Sequence, residues 1–188
     1  IASRKYKQLV AGLILFALAN SSDLFLLLKA KEITGSDSIT ITAYILYNLV
    51  YAVSSFPMGI LADKAGMKKV FLFGLSLFVI VYSGFAVNNT AWVVYVLFAL
   101  YGIYAASTEG IAKAWITNIA HEKNTATALG YYTSLQSVAA FLSSSVAGII
   151  WYSAGSEAVF LFAASLAVIA IGYLGWQKTV SHPEKKSG

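Results

Sequence analysis

The sequence predicts an all-α integral membrane protein with six transmembrane helices. Of its 188 residues, 59% are hydrophobic and only 11% are charged, whereas an ordinary soluble domain has roughly a quarter of its residues charged. The length also suits six spans of about 20 residues with short connections. Residues 1–188 are therefore expected to form a single transmembrane domain.

Long uncharged runs define the six spans, because a helix that crosses the hydrocarbon core needs about 20 apolar residues. Turn and capping residues interrupt the runs at 34–37, 65–66, 88–90, 121–124 and 155–156. Backbone polar groups in lipid must be bonded internally, so runs of this length predict helices. The expected spans are, in order, 8–30, 39–62, 70–87, 91–117, 125–152 and 158–177.

The basic residues are distributed unequally between the two sides of such a bundle. If the amino terminus is cytoplasmic, only Lys29 and Lys31 fall on the opposite side. The positive-inside rule then predicts that both termini are cytoplasmic, and we expect a bacterial plasma (inner) membrane. The cytoplasmic basic residues are Arg4, Lys5, Lys7, Lys64, Lys68, Lys69, Lys113, Lys123, Lys178, Lys185 and Lys186.

Composition also limits the chemistry that the chain can perform. The formal charge of +5 comes from small clusters between apolar runs rather than one basic face, so nucleic acid is not an expected partner. With no Cys and two His, thiolate catalysis and a zinc centre are not expected. The sequence has no H-E-x-x-H pair and no G-x-S-x-G elbow. It therefore predicts neither an enzyme nor a cofactor.

The connection between the second and third spans carries the most specific motif in the chain. Residues 59–69 read Gly-Ile-Leu-Ala-Asp-Lys-Ala-Gly-Met-Lys-Lys, which closely resembles the loop motif G-x-L-a-D-[RK]-x-G-[RK]-[RK] of the major facilitator superfamily. The sequence departs from that motif at Met67, where a basic residue is usual. We call residues 59–69 the latch loop, and its motif residues are Gly59, Asp63, Lys64, Gly66, Lys68 and Lys69.

The latch loop is expected to hold one conformation of the protein. Its glycines permit a tight turn and close helix approach, and Asp63 can lie against a helix N-terminus. Asn124 or Thr125 can cap the fifth span. The free N–H groups at the N-terminus of that span are candidates to bind the Asp63 carboxylate of another half.

The resemblance extends over nearly the whole chain, which looks like the carboxy-terminal six helices of a bacterial member. It implies half of that fold, with two inverted three-helix repeats at about 8–87 and 91–178. It also implies a secondary transporter that moves a small molecule by alternating access. The expected partners are membrane lipid, the substrate and a second six-helix half, either a missing amino-terminal half or an identical chain. A non-transporting membrane scaffold is the alternative.

Polar residues inside the spans are candidates for a substrate or proton path, because an ionisable group there usually faces a partner or a watery cavity. Asp23 lies about 22 Å into its span at 1.5 Å per residue, and either Asp23 or Glu109 is a candidate for proton coupling. Structural hydrogen bonding between helices is the alternative role. The candidates are Asn20, Asp23, Asn48, Glu109, Lys113 and Gln136.

Three local patterns give further expectations. Glu109 and Lys113 are spaced i,i+4 and can pair on one helix face, or Lys113 can extend to the interface and leave Glu109 to another partner. The tripeptides 21–23 and 107–109 resemble each other and occupy comparable places in the two repeats. The fifth span has a small-residue surface around 143–145 that suits close helix contact. Tyrosines that are candidates for an aromatic wall are Tyr44, Tyr47, Tyr51, Tyr131 and Tyr132.

Overall fold

A computed structural model describes residues 4–120 and 124–177. Within these ranges all regular secondary structure is helical. The basic residues Lys123, Lys178, Lys185 and Lys186 of the topology argument lie outside the described residues. The helices are α1 Arg4–Ala17, α2 Leu24–Thr34, α3 Asp37–Ala65, α4 Met67–Val87, α5 Ala91–Ile119, α6 Thr125–Ala154 and α7 Ser156–Trp176.

Five of these helices correspond closely to the second to sixth predicted spans. Each of α3 to α7 is long and apolar enough to cross a membrane, and together they make this an integral membrane protein. Helices α3 and α4 are joined by Gly66 at φ +98°, and α6 and α7 by Gly155 at φ +89°. Glycine reaches these backbone angles without steric cost, so adjacent helices reverse direction with no longer connection.

The first predicted span is not one continuous helix, and that expectation was wrong. Helix α1 has 14 residues and α2 has 11, lengths of roughly 21 and 16 Å, so neither alone matches a hydrocarbon core of about 30 Å. Residues 18–23 between them, which we call the helix break, have the sequence Leu-Ala-Asn-Ser-Ser-Asp. Ser and Asn side chains compete with helical backbone bonding. Here Ser22 Oγ accepts from Leu24 N at 3.3 Å, while Ser22 N donates to Ser144 Oγ on α6 at 3.1 Å.

The core lies around α4 and α5. Helix α5 packs against α3 and α4, and α4 packs against α7. Gly102 lets α5 lie directly against the α3 backbone, because an added Cβ would lie 2.7 Å from Tyr47 O and 3.0 Å from Tyr51 N. Stacked aromatic rings fill the centre, with Phe78 and Tyr82 at 3.8 Å between ring centroids.

A polar cluster fastens α2 to the start of α7. The Lys29 side chain is only 3% exposed, and its Nζ donates to Glu32 Oε1 and to Ser156 Oγ, both at 2.9 Å. Ser156 Oγ in turn donates to Glu32 Oε1 at 3.1 Å. A buried ammonium is tolerable when an opposite charge and further hydrogen bonds compensate its lost hydration. This cluster therefore anchors the short helix α2.

Candidate functional site

The helix break places a carboxylate against a buried tyrosine. Asp23 immediately precedes α2 but makes no side-chain capping bond to that helix. Its Oδ1 instead accepts the hydroxyl of Tyr101 at 2.7 Å. Tyr101 projects from α5 and is 2% exposed. Asp23 is thus held by a neutral donor on a neighbouring span.

Three more oxygen atoms at the helix break are buried without a hydrogen-bond partner among the described residues. They are Asn20 Oδ1, Ser21 Oγ and the Tyr82 hydroxyl. The Tyr82 hydroxyl lies close to Ser21 and Tyr101, but outside good hydrogen-bond geometry. An unsatisfied buried polar group costs about 1–3 kcal/mol. Because buried polar atoms are normally satisfied, the unpartnered atoms of Ser21 and Tyr82 near Tyr101 indicate a candidate site rather than packing alone.

The second intramembrane carboxylate also contacts a tyrosine. Glu109 Oε2 on α5 accepts the hydroxyl of Tyr51 on α3 at 3.0 Å. Of the two arrangements that the sequence leaves open, the i,i+4 ion pair with Lys113 does not form in this structure. The ion pairs between described residues are Lys29–Glu32 and Lys31–Asp37. The longer-range partner on α3 replaces the local one.

A row of tyrosines connects the two carboxylates. The ring of Tyr47 lies 5.0 Å from that of Tyr101 and 6.4 Å from that of Tyr51, centroid to centroid. The order Asp23, Tyr101, Tyr47, Tyr51 and Glu109 therefore runs from the helix break along the contact of α3 with α5. We call Tyr101, Tyr47 and Tyr51 the tyrosine row.

The aromatic wall expected from the sequence forms only in part. Tyr44 joins the tyrosine row, with its ring 5.3 Å from that of Tyr47. Tyr131 is instead 55% exposed on α6 and borders an apolar groove with Tyr6. Tyr132 is buried and borders a different cavity.

That cavity collects three of the six candidate path residues. Asn20, Glu109 and Gln136 all line a space of about 60 Å³, together with Tyr104 and Tyr132. A space of this size is large enough to admit water. The cavity brings polar groups of the helix break, α5 and α6 together, although these residues are distant in sequence.

The remaining two candidates do not join this site. Asn48 is exposed on α3, and its Nδ2 donates to Tyr44 O of the same helix at 2.8 Å. Lys113 is exposed toward the end of α5. The similar tripeptides also differ in structure, because 21–23 lie in the helix break whereas Ser107 and Thr108 bond to backbone carbonyls within continuous α5.

The latch loop includes the α3–α4 turn, and only some of its residues contact the rest of the described chain. Gly66 supplies the tight turn, whereas an added Cβ at Gly59 would meet no atom within 4 Å, so close helix approach at Gly59 is not seen. Asp63, Lys64 and Lys69 are exposed. Asp63 makes no hydrogen bond or ion pair with any described residue.

Lys68 is the charged latch-loop residue that, among the described residues, bonds to another helix. Its Nζ donates to Gly175 O at 2.9 Å and to Gln177 O. A cation is favourable beside the free carbonyls at a helix C-terminus. Lys68 therefore fastens the start of α4 to the end of α7.

Sequence reasoning missed the partners of both carboxylates. It included Tyr51 only in an aromatic wall and did not select Tyr101, Tyr82 or Ser21. A usable signal was present, because a tyrosine hydroxyl inside an apolar span normally finds a polar partner when buried. The pairing itself depends on how α3 and α5 face each other, which one sequence does not specify.

Apolar helices around an internal row of polar side chains define a polytopic helical membrane protein. The sequence profile of the Major Facilitator Superfamily matches residues 9–188. The chain belongs to this superfamily, which confirms the resemblance found in the latch loop.

Two curated relatives support the assignment. An uncharacterized MFS-type transporter of Methanocaldococcus jannaschii is 37% identical over 162 residues, which cover 83% of this chain and 40% of that protein. An uncharacterized MFS-type transporter of Bacillus subtilis is 32% identical over 71 residues, 38% of this chain and 17% of that protein. The chain thus spans less than half the length of these relatives. The family points to transport rather than enzymatic catalysis.

Proposed function

We propose that the chain is the carboxy-terminal half of a secondary active transporter that moves a small molecule by alternating access. The carrying observation is the pair of intramembrane carboxylates, Asp23 and Glu109, joined through the tyrosine row. Ionisable residues inside a membrane are costly and mark substrate or proton paths. The adjoining cavity, lined by Asn20, Glu109 and Gln136, supports a path between α1, α5 and α6.

Either carboxylate is suited to carry a proton during the transport cycle. Each accepts a tyrosine hydroxyl, and neither forms an ion pair with a described basic residue. A carboxyl group without a fixed counter-charge can change its protonation without breaking a salt bridge. Proton coupling through Asp23 or Glu109 follows from this arrangement.

A second six-helix half completes the transporter in this proposal. In the most apolar 18-residue stretch of each helix, only 11% of the residues of α3 and 17% of those of α6 are buried. The corresponding shares are 50% for α4 and 56% for α5. Among the five candidate spans, α3 and α6 are therefore the least covered by other parts of the described chain. The matched region covers 40% or less of each relative, which favours a second half in the same polypeptide. The alternative is that an identical chain provides the second half.

The orientation of the proposed transporter follows from charge. Both termini lie in the cytoplasm, with the latch loop on the same side, because the positive-inside rule assigns the basic clusters there. We place the protein in a plasma membrane. The two inverted three-helix repeats stay a prediction, as does a contact of Asp63 with a helix N-terminus of the second half.

The proposal is tested by flux into proteoliposomes that hold the complete assembly. Wild-type protein is expected to give saturable uptake from a panel of small molecules driven by a proton gradient. Asp23→Asn keeps the shape of the side chain but removes its charge, and we expect at least about a tenfold loss in uptake efficiency, equivalent to about 1.4 kcal/mol.

The matched control is Asp37→Asn, which removes an exposed carboxylate that pairs with Lys31 outside the path. It should retain uptake. Equal losses in both variants would contradict the role of Asp23. A folded wild-type assembly that transports nothing across a broad panel would instead favour a membrane scaffold.

A further inference from the structure

We propose that the helix break is a binding site for a monovalent metal cation, Na⁺, coordinated by side-chain and backbone oxygen atoms around Asp23. The inference rests on the proposed function only where it assigns this ion a role in coupling. Binding itself depends on the geometry of the helix break.

The first support is the set of unpartnered oxygen atoms. Asn20 Oδ1, Ser21 Oγ and the Tyr82 hydroxyl are buried, and within the described chain none makes a hydrogen bond. Ser21 is 5% exposed and Tyr82 is fully buried. Buried polar atoms are normally satisfied. The Tyr82 hydroxyl lies close to Ser21 and Tyr101, and Tyr101 is bonded to Asp23, so the unpartnered oxygen atoms of Ser21 and Tyr82 belong to the surroundings of Asp23 and point to a bound ligand.

The second support comes from the backbone. Phe16 O accepts the N–H groups of both Ala19 and Asn20, which closes α1. Beyond it, the carbonyl groups of residues 17–21 accept no hydrogen bond from any described residue. Free carbonyls at the C-terminal end of a half-helix carry partial negative charge. Unwound carbonyls and half-helix ends of this kind coordinate Na⁺ in discontinuous transmembrane helices.

The charge and chemistry of the donors select the ion. Every donor is an oxygen atom, which suits hard cations rather than soft transition metals. Asp23 provides a single carboxylate, and Tyr101 donates to it as a neutral group. One negative charge balances one monovalent ion, whereas protein sites for divalent hard cations generally use several carboxylates.

The position of the site connects the ion to the proposed path. Asn20 contributes an oxygen atom here and also lines the cavity that contains Glu109 and Gln136. Ser22 N is bonded to Ser144 on α6. Binding of Na⁺ would therefore order the helix break against α6 on one side and Tyr82 of α4 on the other.

The test is thermal unfolding of the purified full chain in detergent, with NaCl titrated against choline chloride at constant ionic strength and pH. Wild type is expected to show a saturable rise in melting temperature with Na⁺ that choline does not reproduce. Asp23→Asn should abolish the rise. Ser21→Ala and Tyr82→Phe should each weaken Na⁺ binding, so that the half-saturating Na⁺ concentration rises by about tenfold.

Matched controls separate ion binding from general damage. Ser145→Ala removes an exposed hydroxyl that bonds to Phe141 O of its own helix, and Asp37→Asn removes an exposed carboxylate. Both should keep the wild-type Na⁺ response. Each variant is first checked for wild-type helicity and a monodisperse elution profile, and Ser21→Ala, the smallest change, decides the case if Asp23→Asn does not fold.

Three outcomes would overturn the site. Equal effects of NaCl and choline chloride on wild type would exclude specific Na⁺ binding, as would an unchanged response in folded Asp23→Asn. A wild type that responds to pH but not to Na⁺ would leave a proton as the only occupant. A thermal response to Na⁺ in protein that shows no flux would support the site and contradict the transport function. Flux that does not depend on Na⁺, in protein whose melting temperature does not respond to Na⁺, would support transport and contradict the site.

Discussion

Tyr101 shows how one hydroxyl group decides the environment of a carboxylate. It comes from a fully apolar stretch of α5, yet its hydroxyl meets Asp23 across the helix break at 2.7 Å. A lysine or arginine in its place would have fixed the charge of Asp23. A tyrosine orients the carboxyl group and leaves its charge free to change.

Replacement of Tyr101 by Phe isolates this bond, since the buried ring keeps its packing. A hydrogen bond to a charged group contributes about 1.5–3 kcal/mol, so Tyr101→Phe should lower the melting temperature in detergent and reduce uptake. Tyr95→Phe is the matched control, because Tyr95 lies on the same helix and its hydroxyl makes no hydrogen bond with a described residue. Equal losses of stability in the two variants would show that the Tyr101 hydroxyl contributes nothing specific.

Among the helices, α5 organises the others. It provides Tyr101 and Glu109 to the site, and it lies against the α3 backbone at Gly102. Because that contact sets the spacing between α3 and α5, it also sets the spacing within the tyrosine row. The packing of one glycine is therefore coupled to the geometry of both carboxylates.

Gly102→Ala tests the α3–α5 contact. The new methyl group would meet backbone atoms of Tyr47 and Tyr51, which have no rotamer to change, and overpacking of this kind costs about 1–3 kcal/mol. We expect a lower melting temperature. Gly110→Ala, on the same helix with no atom within 4 Å of an added Cβ, should be neutral or slightly stabilising. A Gly102→Ala protein as stable as Gly110→Ala would mean that α3 moves away at little cost.

For the whole molecule, the unequal burial of its helices predicts which surfaces face a second half and which face lipid. Val53 on α3 and Ile149 on α6 are 67% and 68% exposed, and Ile80 on α4 is 54% exposed. Apolar side chains suit either environment, so the exposure of a single residue does not separate the two kinds of surface. Because the share of buried residues is lower along α3 and α6 than along α4, α5 and α7, we expect α3 and α6 to face the second half.

Spin labels distinguish the two kinds of surface, and the absence of Cys allows single-site labelling without other changes. In the complete assembly, labels at Val53→Cys and Ile149→Cys should lose collision access to lipid-dissolved oxygen relative to the isolated chain. A label at Ile80→Cys should keep its access. Undiminished oxygen access at all three positions would refute an interface on α3 and α6.

Five spans were predictable from the sequence because an apolar run of sufficient length in lipid has few alternatives to a helix. The first span was mispredicted because residues 20–23 are a short polar interruption that run length alone does not detect. The site was half predicted. Asp23 and Glu109 stand out as charges in apolar segments, but Tyr101 and Tyr51 become their partners only through packing between distant helices.

The bonding of Lys29, Glu32 and Ser156 has a mechanical consequence. Because these side chains couple α2 to the start of α7, the two helices are expected to move as one rigid body. Helix α1 shares no continuous backbone hydrogen bonding with α2, so the segment between them can act as a hinge. Tilting of α1 alone would then reorient Asn20, while Asp23 at the start of α2 keeps its position beside Tyr101.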